Sequence, residues 1–249
     1  MEIINSTIRS FFQYFGSWLV KCLLKPRKFI QICDLCLQPS DNHSLLCRTC
    51  QQDLATFNLT LVKGNLLNHP KIARHLPQIH FQQLICLAPY QWPFASWVQQ
   101  LKYQQRFEIG QLLAKLLVAQ ITHHQLEQQL PTLLLPVPIH PQRLRERQYN
   151  QAALIAKELE RHLPCAYDES LIIRQSKTEQ QVGQSGAQRR RNLHGAFCLV
   201  KPCHLPAHVG IVDDVLTTGA TVSEMAKLLT QHGVKKITVL SVCLTLPND

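Results

Sequence analysis

Apolar positions along this chain change their period from one region to the next. Ile4, Ile8, Phe11, Phe12, Phe15, Trp18, Leu19, Cys22 and Leu23 recur at helical spacing and are followed by Lys21, Lys25, Arg27 and Lys28. That pattern predicts an amphipathic helix with a basic tail over residues 1–30. Residues 61–80 lack periodicity, carry two prolines and read as a connector. Leu84–Ala88 is an apolar run of strand length, and residues 95–127 have helical spacing with an interruption near Arg106–Gly110.

From residue 131 onward, strand-like and helix-like runs alternate. Thr132–Val137 is a strand run that leads into a basic loop bearing Arg143, Arg145 and Arg147. A helix is expected from about Asn150 to His162, and brief strands at Leu171–Ile173 and Ala196–Val200. Residues 174–195 are polar and read as a long loop. His208–Asp213 is the next strand, Val222–His232 a helix, and Ile237–Val242 the last strand. Strands separated by helices imply an α/β fold with a mainly parallel sheet and ligand sites beyond the strand C-termini.

The length of 249 residues suits one such domain with a small appendage. At 45% hydrophobic residues, wholesale disorder is excluded, and no repeat of solenoid period occurs. The net charge of +10 calls for an anionic partner: a phosphate compound, a nucleic acid or a membrane surface.

Four of the ten cysteines form two matched knuckles, Cys33-Asp-Leu-Cys36 and Cys47-Arg-Thr-Cys50. Each knuckle brings two sulfurs within reach of one ion, and four thiolates suit tetrahedral zinc. The alternative is a redox pair or disulfides. Cys86, Cys198 and Cys243 lie in apolar runs and read as small core residues. Metal thiolates beside buried thiols fit a reducing, cytoplasmic compartment. No segment reaches the ~18 uninterrupted apolar residues of a spanning helix. For residues 1–28 the choices are docking on the protein body or peripheral contact with the inner face of the membrane.

The run Val209-Gly-Ile-Val-Asp213-Asp214-Val-Leu-Thr217-Thr218-Gly219-Ala220-Thr221 carries the most chemistry. A strand delivers two adjacent carboxylates, and a Thr/Gly turn opens a helix whose backbone N–H groups and hydroxyls suit a phosphate. Carboxylates accept from vicinal ribose hydroxyls and can help organise Mg2+. No Lys follows the glycine, so this is not a Walker A loop. The plainer reading is a turn capped by Asp213-Asp214 and a helix capped by Thr221.

This run resembles the 5-phosphoribosyl 1-diphosphate (PRPP) motif of type I phosphoribosyltransferases. Several further motifs occur in one order: the tandem Cys knuckles, Leu101-Lys102-Tyr103 with Arg106, and Val137-Pro138 before Arg143 and Arg147 with Asn150-Gln151. Arg174 with Gln180 and Arg191-Asn192 with Gly195-Ala-Phe197 complete the set. Together they identify the chain as similar to the ComF (GntX, competence protein F) family over roughly residues 30–245. The family pattern has glycine where this chain has Gln148.

The resemblance implies a type I phosphoribosyltransferase-like domain over 61–245 and a zinc-ribbon module over 31–60. It implies that Asp213 and Asp214 hold the ribose hydroxyls and that Thr217, Thr218, Gly219, Ala220 and Thr221 hold the 5-phosphate. Arg143 and Arg147 would lie on a pyrophosphate loop, and residues 174–195 would be a flap rooted near Arg174. An active member would displace pyrophosphate at C1 of the ribose, with Mg2+ and arginines stabilising the leaving group. No acceptor pocket or base is legible; His140 is a lone candidate. Three functions follow from the resemblance: a competence protein handling incoming single-stranded DNA with the competence machinery, a working phosphoribosyltransferase of nucleotide metabolism, or a silent PRPP-sensing regulator. The four-Cys module closes its own coordination shell, so its expected role is structural.

Overall fold

A computed structural model describes residues 31–40, 44–175, 193, 195–200 and 204–246. The amphipathic segment 1–30, most of the 174–195 loop, and Cys22 and Cys203 lie outside the described residues. The chain divides into two compact units, Met1–Gln51 and Gln52–Asp249.

In the first unit, β1 (Gln31–Ile32) pairs antiparallel with β2 (Pro39–Ser40). The five-residue helix α1 (Arg48–Gln52) starts inside the second Cys knuckle.

The second unit is built on five parallel strands: β3 (Gln83–Pro89), β4 (Leu133–Pro136), β5 (Ala166–Tyr167), β8 (His208–Leu216) and β9 (Lys236–Leu244). Their order across the sheet is β3-β9-β8-β4-β5. Both β3 and β9 are almost wholly buried, which explains why their sequences run apolar without alternation. Between β5 and β8 in the chain come β6 (Ile172–Arg174) and β7 (Phe197–Leu199), an antiparallel pair apart from the main sheet. Together with the Cys unit, this is the α/β, phosphoribosyltransferase-like architecture that the resemblance implies.

Helices flank the sheet. α3 (Phe94–Tyr103) and α4 (Phe107–His123) are separated at Gln104–Arg106, just ahead of the interruption expected near Arg106–Gly110, of which Phe107–Gly110 already belong to α4. α6 (Gln151–Glu160) packs on α4, β4 and β8, and α7 (Ala220–Gln231) follows β8. Gly210 in β8 is required by close approach: a Cβ there would meet Pro131 Cγ at 2.5 Å and Leu134 Cδ2 at 2.7 Å.

Three expectations change. Residues 61–80 are not a bare connector: Val62, Leu66, Ile72 and Leu76 are buried, a 3-10 turn covers Leu66–Asn68, and α2 runs Pro70–His75. The elements are too short to display a 3.6-residue period, and hydrogen bonds fix them instead. Asn65 Oδ1 accepts from Leu67 and Leu84 N–H while its Nδ2 donates to Gln82 O. The basic stretch after β4 is a helix, α5 (Pro141–Arg147), not a loop. Cys198 is only half-buried, because β7 belongs to the small two-stranded ribbon rather than the main sheet; Cys86 and Cys243 are fully buried.

Candidate anion-binding cavity and four-cysteine centre

The acidic wall is made by the C-terminal half of β8. The strand does not stop at Asp213, because its ladder with β9 continues through Asp213↔Ser241, Val215↔Cys243 and Leu216↔Leu244. Asp214 is buried and Asp213 half-buried. Lys102 Nζ, from α3, forms an ion pair with Asp214 Oδ2 at 2.7 Å. Asp213 Oδ1 accepts from the Asp214 N–H at 2.9 Å, and Asp214 Oδ1 from the Val215 N–H at 3.0 Å. Burial, and next the neighbouring Asp214 charge, push the Asp213 carboxyl well above the usual carboxylate range, against the opposing pull of Lys102.

The turn after β8 is set by Gly219, whose φ of 69° places it in the left-handed region at the N-cap of α7. Thr218 Oγ1 accepts from the Ala220 N–H at 3.4 Å. Thr217 is exposed, Gly219 and Ala220 are buried, and Thr221 faces the cavity described next.

The basic wall grows from the end of β4. Val137 N–H donates to Val212 O at 2.9 Å, and Asn150 Nδ2 donates to Val137 O at 3.0 Å, holding the segment against β8. His140 caps α5, its Nδ1 accepting from the Gln142 N–H at 3.3 Å, and Pro141 occupies the first turn. Arg143 and Arg147 stand one helical turn apart and so share a face. Gln148 ends α5 with φ 67° in the left-handed region, the geometry for which the family's glycine is suited. The turn is made despite the substitution. Asn150 then caps α6, its Oδ1 accepting from the Ala152 N–H at 3.1 Å.

These walls enclose a cavity of about 190 Å³. Lys102, Asp213, Asp214 and Thr221 line one part; His140, Arg143, Arg147, Gln151 and Arg174 line another. Thr217, Thr218, Gly219 and Ala220 form the neighbouring turn and are not in its lining. Arg147 Nη1 donates to Gln151 Oε1 at 3.1 Å. Arg174 is the last residue of β6, its guanidinium 5.8 Å from the centroid of the Phe197 ring.

Three donors in this lining are hidden from solvent yet make no hydrogen bond: His140 Nε2, Gln151 Nε2 and Arg174 Nε. Burial, followed by the charges of Arg174, Arg143 and Arg145, lowers the pKa of His140, so its ring is neutral. With Nδ1 accepting, the remaining proton sits on Nε2, which is a donor. Burial and then the Arg143 charge also depress Arg174. Three orphaned donors on one side, and on the other an acid pair whose Asp214 Oδ2 has the Lys102 ammonium as its ionic partner, give the cavity a cationic and an acidic end that can take anionic oxygens and hydroxyl donors respectively. A wider groove of about 590 Å³ adjoins it and shares Pro138, Ile139, Asn150 and Arg174.

The other candidate centre lies in the first unit. One sulfur each from Cys33, Cys36, Cys47 and Cys50 falls within 4.8 Å of all the others, and Cys36 Sγ and Cys47 Sγ are 3.7 Å apart. Leu37, with φ 62°, turns the first knuckle, and its N–H donates to Cys33 O at 3.0 Å. Burial opposes ionisation of Cys33, but the N–H groups of Cys36, Cys47 and Leu35 prevail and bring its thiol to about 6. Hydrogen bonding with Cys36, then burial, raises Cys50. Four soft donors converge where Cys36 and Cys50 are both pushed up against ionising, and a divalent cation offsets that crowding. The set could hold a metal ion, and four protein ligands would leave no open coordination position.

Sequence reasoning passed over Lys102, Tyr103 and Gln151 as site residues. Lys102 and Tyr103 stand out only as part of the Leu101-Lys102-Tyr103 motif, in an amphipathic helix far ahead of Asp213 in the chain, and no local signal ties them to the acid pair. Gln151 follows the cap of α6 and likewise stands out only within a motif, Asn150-Gln151.

No helix among the described residues is long and apolar enough to cross a membrane. No family model matches the chain. It is 35% identical over 217 residues to the DNA utilization protein YhgH of Escherichia coli O157:H7, covering 86% of this chain and 91% of that one. The protein of the same name in Salmonella typhimurium is 34% identical over the same length. Competence protein F of Haemophilus influenzae is 34% identical over 205 residues, 78% of this chain and 88% of that protein.

Proposed function

From the premise that the chain belongs to the ComF (competence protein F) family, we propose that it serves DNA uptake or utilisation as a PRPP-binding, phosphoribosyltransferase-like protein. The observation that carries this reading is the convergence of the unpartnered donors of His140, Gln151 and Arg174 with Arg143 and Arg147, opposite Asp213 and Asp214. PRPP has the matching polarity: a diphosphate for the cations and a ribose diol for the acid pair.

In this reading Arg143 and Arg147 hold the diphosphate as paired donors, with His140 Nε2 and Arg174 Nε completing its shell. Asp213 and Asp214 accept from the ribose hydroxyls, with Lys102 restraining Asp214. Thr217, Thr218, Gly219, Ala220 and Thr221 hold the 5-phosphate at the start of α7. Mg2+ accompanies the diphosphate and neutralises part of its charge. Single-stranded DNA and proteins of the competence machinery are the macromolecular partners. Zinc is the ion for Cys33, Cys36, Cys47 and Cys50, in a structural role, since four thiolates match its tetrahedral preference.

Calorimetric titration of the zinc-loaded protein with PRPP and Mg2+ tests this, beside an Asp213→Asn/Asp214→Asn variant. Saturable binding abolished in the variant is the expected result. A flat titration at millimolar PRPP would sink the sugar-phosphate reading. Elemental analysis giving about one zinc per chain, lost in Cys47→Ser, tests the metal assignment.

A further inference from the structure

Tyr103 lies against Arg147, a residue of the cavity lining, and Tyr149, two positions further along the chain, carries Phe107 against it. Tyr103 ends α3 with 67% of its surface exposed, and Phe107 opens α4 with 46% exposed. Phe107 meets Tyr149 edge-on, with centroids 4.7 Å apart and planes at 71°. Arg147 joins this group to the cavity it lines: its guanidinium lies 5.1 Å from the centroid of the Tyr103 ring, and Nη2 donates to the Tyr103 hydroxyl at 3.4 Å. Arg147 and Tyr103 are 44 positions apart in sequence, so this is tertiary construction rather than helix patterning.

The neighbourhood restricts the partner. An apolar protein anchor is held in a pocket whose centre is depleted of charge. Here Tyr103 and Phe107 are exposed, Arg147 stacks on Tyr103, and the exposed Gln104 and Gln105 lie between the two rings in the chain. Open π-faces beside guanidinium groups suit a planar base whose backbone carries phosphates. Duplex bases hide their faces in the stack, which leaves unpaired ones. An open platform covers too little of a free nucleotide to hold it, whereas a strand adds phosphate contacts to each stacked base.

We propose that Tyr103 and Phe107, with Arg147 beside them, form a stacking platform for unpaired bases of a single-stranded nucleic acid, contiguous with the diphosphate cavity. The platform deepens the function proposed above and rests on it for the identity of the strand as partner. Its consequence is spatial. A strand seated there brings its bases to the mouth of the cavity, on the side where Arg147 belongs to both surfaces.

The test is fluorescence anisotropy with fluorescein-labelled oligo-dT of about 20 nucleotides. The wild-type protein is expected to bind it, more weakly as salt rises, and to prefer it over a duplex of equal length. Tyr103→Ala/Phe107→Ala should weaken binding by about tenfold to a hundredfold, while Tyr103→Trp retains it. Tyr103 is mostly exposed and Phe107 about half so, and the double variant should melt within about 3 °C of wild type. Tyr103→Leu keeps apolar bulk without a π-face and carries the same expected loss whatever the double variant's stability. Wild-type failure to bind, equal affinity for strand and duplex, or undiminished binding by the variants would overturn the platform. A parallel PRPP titration of the wild type separates the two readings. PRPP binding without any aromatic effect removes only the platform; an aromatic effect with no PRPP binding removes only the diphosphate site.

Discussion

The acidic and basic walls of the cavity are held by different means. Asp213 and Asp214 sit in a nine-residue strand between two parallel neighbours, β9 and β4, with Lys102 bound to one of the carboxylates. Arg143 and Arg147 sit on a seven-residue helix without a buried residue, ended by a non-glycine residue in the left-handed region. A helix so short owes little to its own hydrogen bonds and depends on its caps and attachments. The acid pair is thus fixed before any ligand arrives, and the arginines can adjust. That division suits a ligand with a rigid sugar and a flexible diphosphate.

The largest effect expected from breaking this contrast is at Lys102. Lys102→Met leaves the buried Asp214 beside Asp213 without its ion-pair partner and should cost about 3 kcal/mol of stability at neutral pH by urea unfolding. The loss should shrink as acid protonates Asp213 and removes the like charge beside Asp214. In the wild type, Asp213 is raised above its ordinary 3.8. Its contribution to stability is therefore full below pH 3.8 and is lost as pH rises through the raised value. Binding of a ligand that needs both carboxylates as acceptors should strengthen over the same rise. Lys102→Met as stable as wild type at neutral pH would mean that the acid wall is not held in this way.

Next comes the strand beneath the acids. Gly210→Ala drives a Cβ into Pro131 and Leu134, with an expected cost of about 1–3 kcal/mol by the same assay. On the basic wall, Arg147→Ala should weaken PRPP binding by about tenfold to a hundredfold, read by calorimetry, with little change in melting temperature. Arg147→Lys should recover only part, because an ammonium cannot offer paired donors. The smallest effect is at Gln148. Gln148→Gly relieves the positive φ and should stabilise by about 0.5–1 kcal/mol. No gain there would show that the α5 turn is under no strain.

Much of the fold was legible because its signals are local. The β8–α7 segment carries strand, acid pair, turn and helix within one short run, and the two Cys knuckles announce their own convergence. The basic stretch was located but read as a loop, since Arg143, Arg145 and Arg147 hide the helical character that His140 and Pro141 start. The small elements between Leu59 and Leu76 left no period to detect; their order comes from Asn65 bonding to β3. Lys102 on Asp214 and Tyr103 under Arg147 are contacts between segments far apart in the chain. No pattern along the sequence encodes such a meeting until the sheet order is known.

That sheet order has a bearing on synthesis. β3, with α3 and Lys102 behind it, pairs only with β9, and β9 alone joins it to β8. A ribosome that has delivered residues 83–216 has therefore supplied both Lys102 and Asp214, but not the strand that brings them together. Until residues 236–244 emerge, the nascent chain carries the β8-β4-β5 fragment with an open edge, a lone β3 strand and an Asp214 without its Lys102 partner. For that interval the burden of keeping the edges apart falls on chaperones or on speed. The binding cavity is then among the last features of the molecule to come into being.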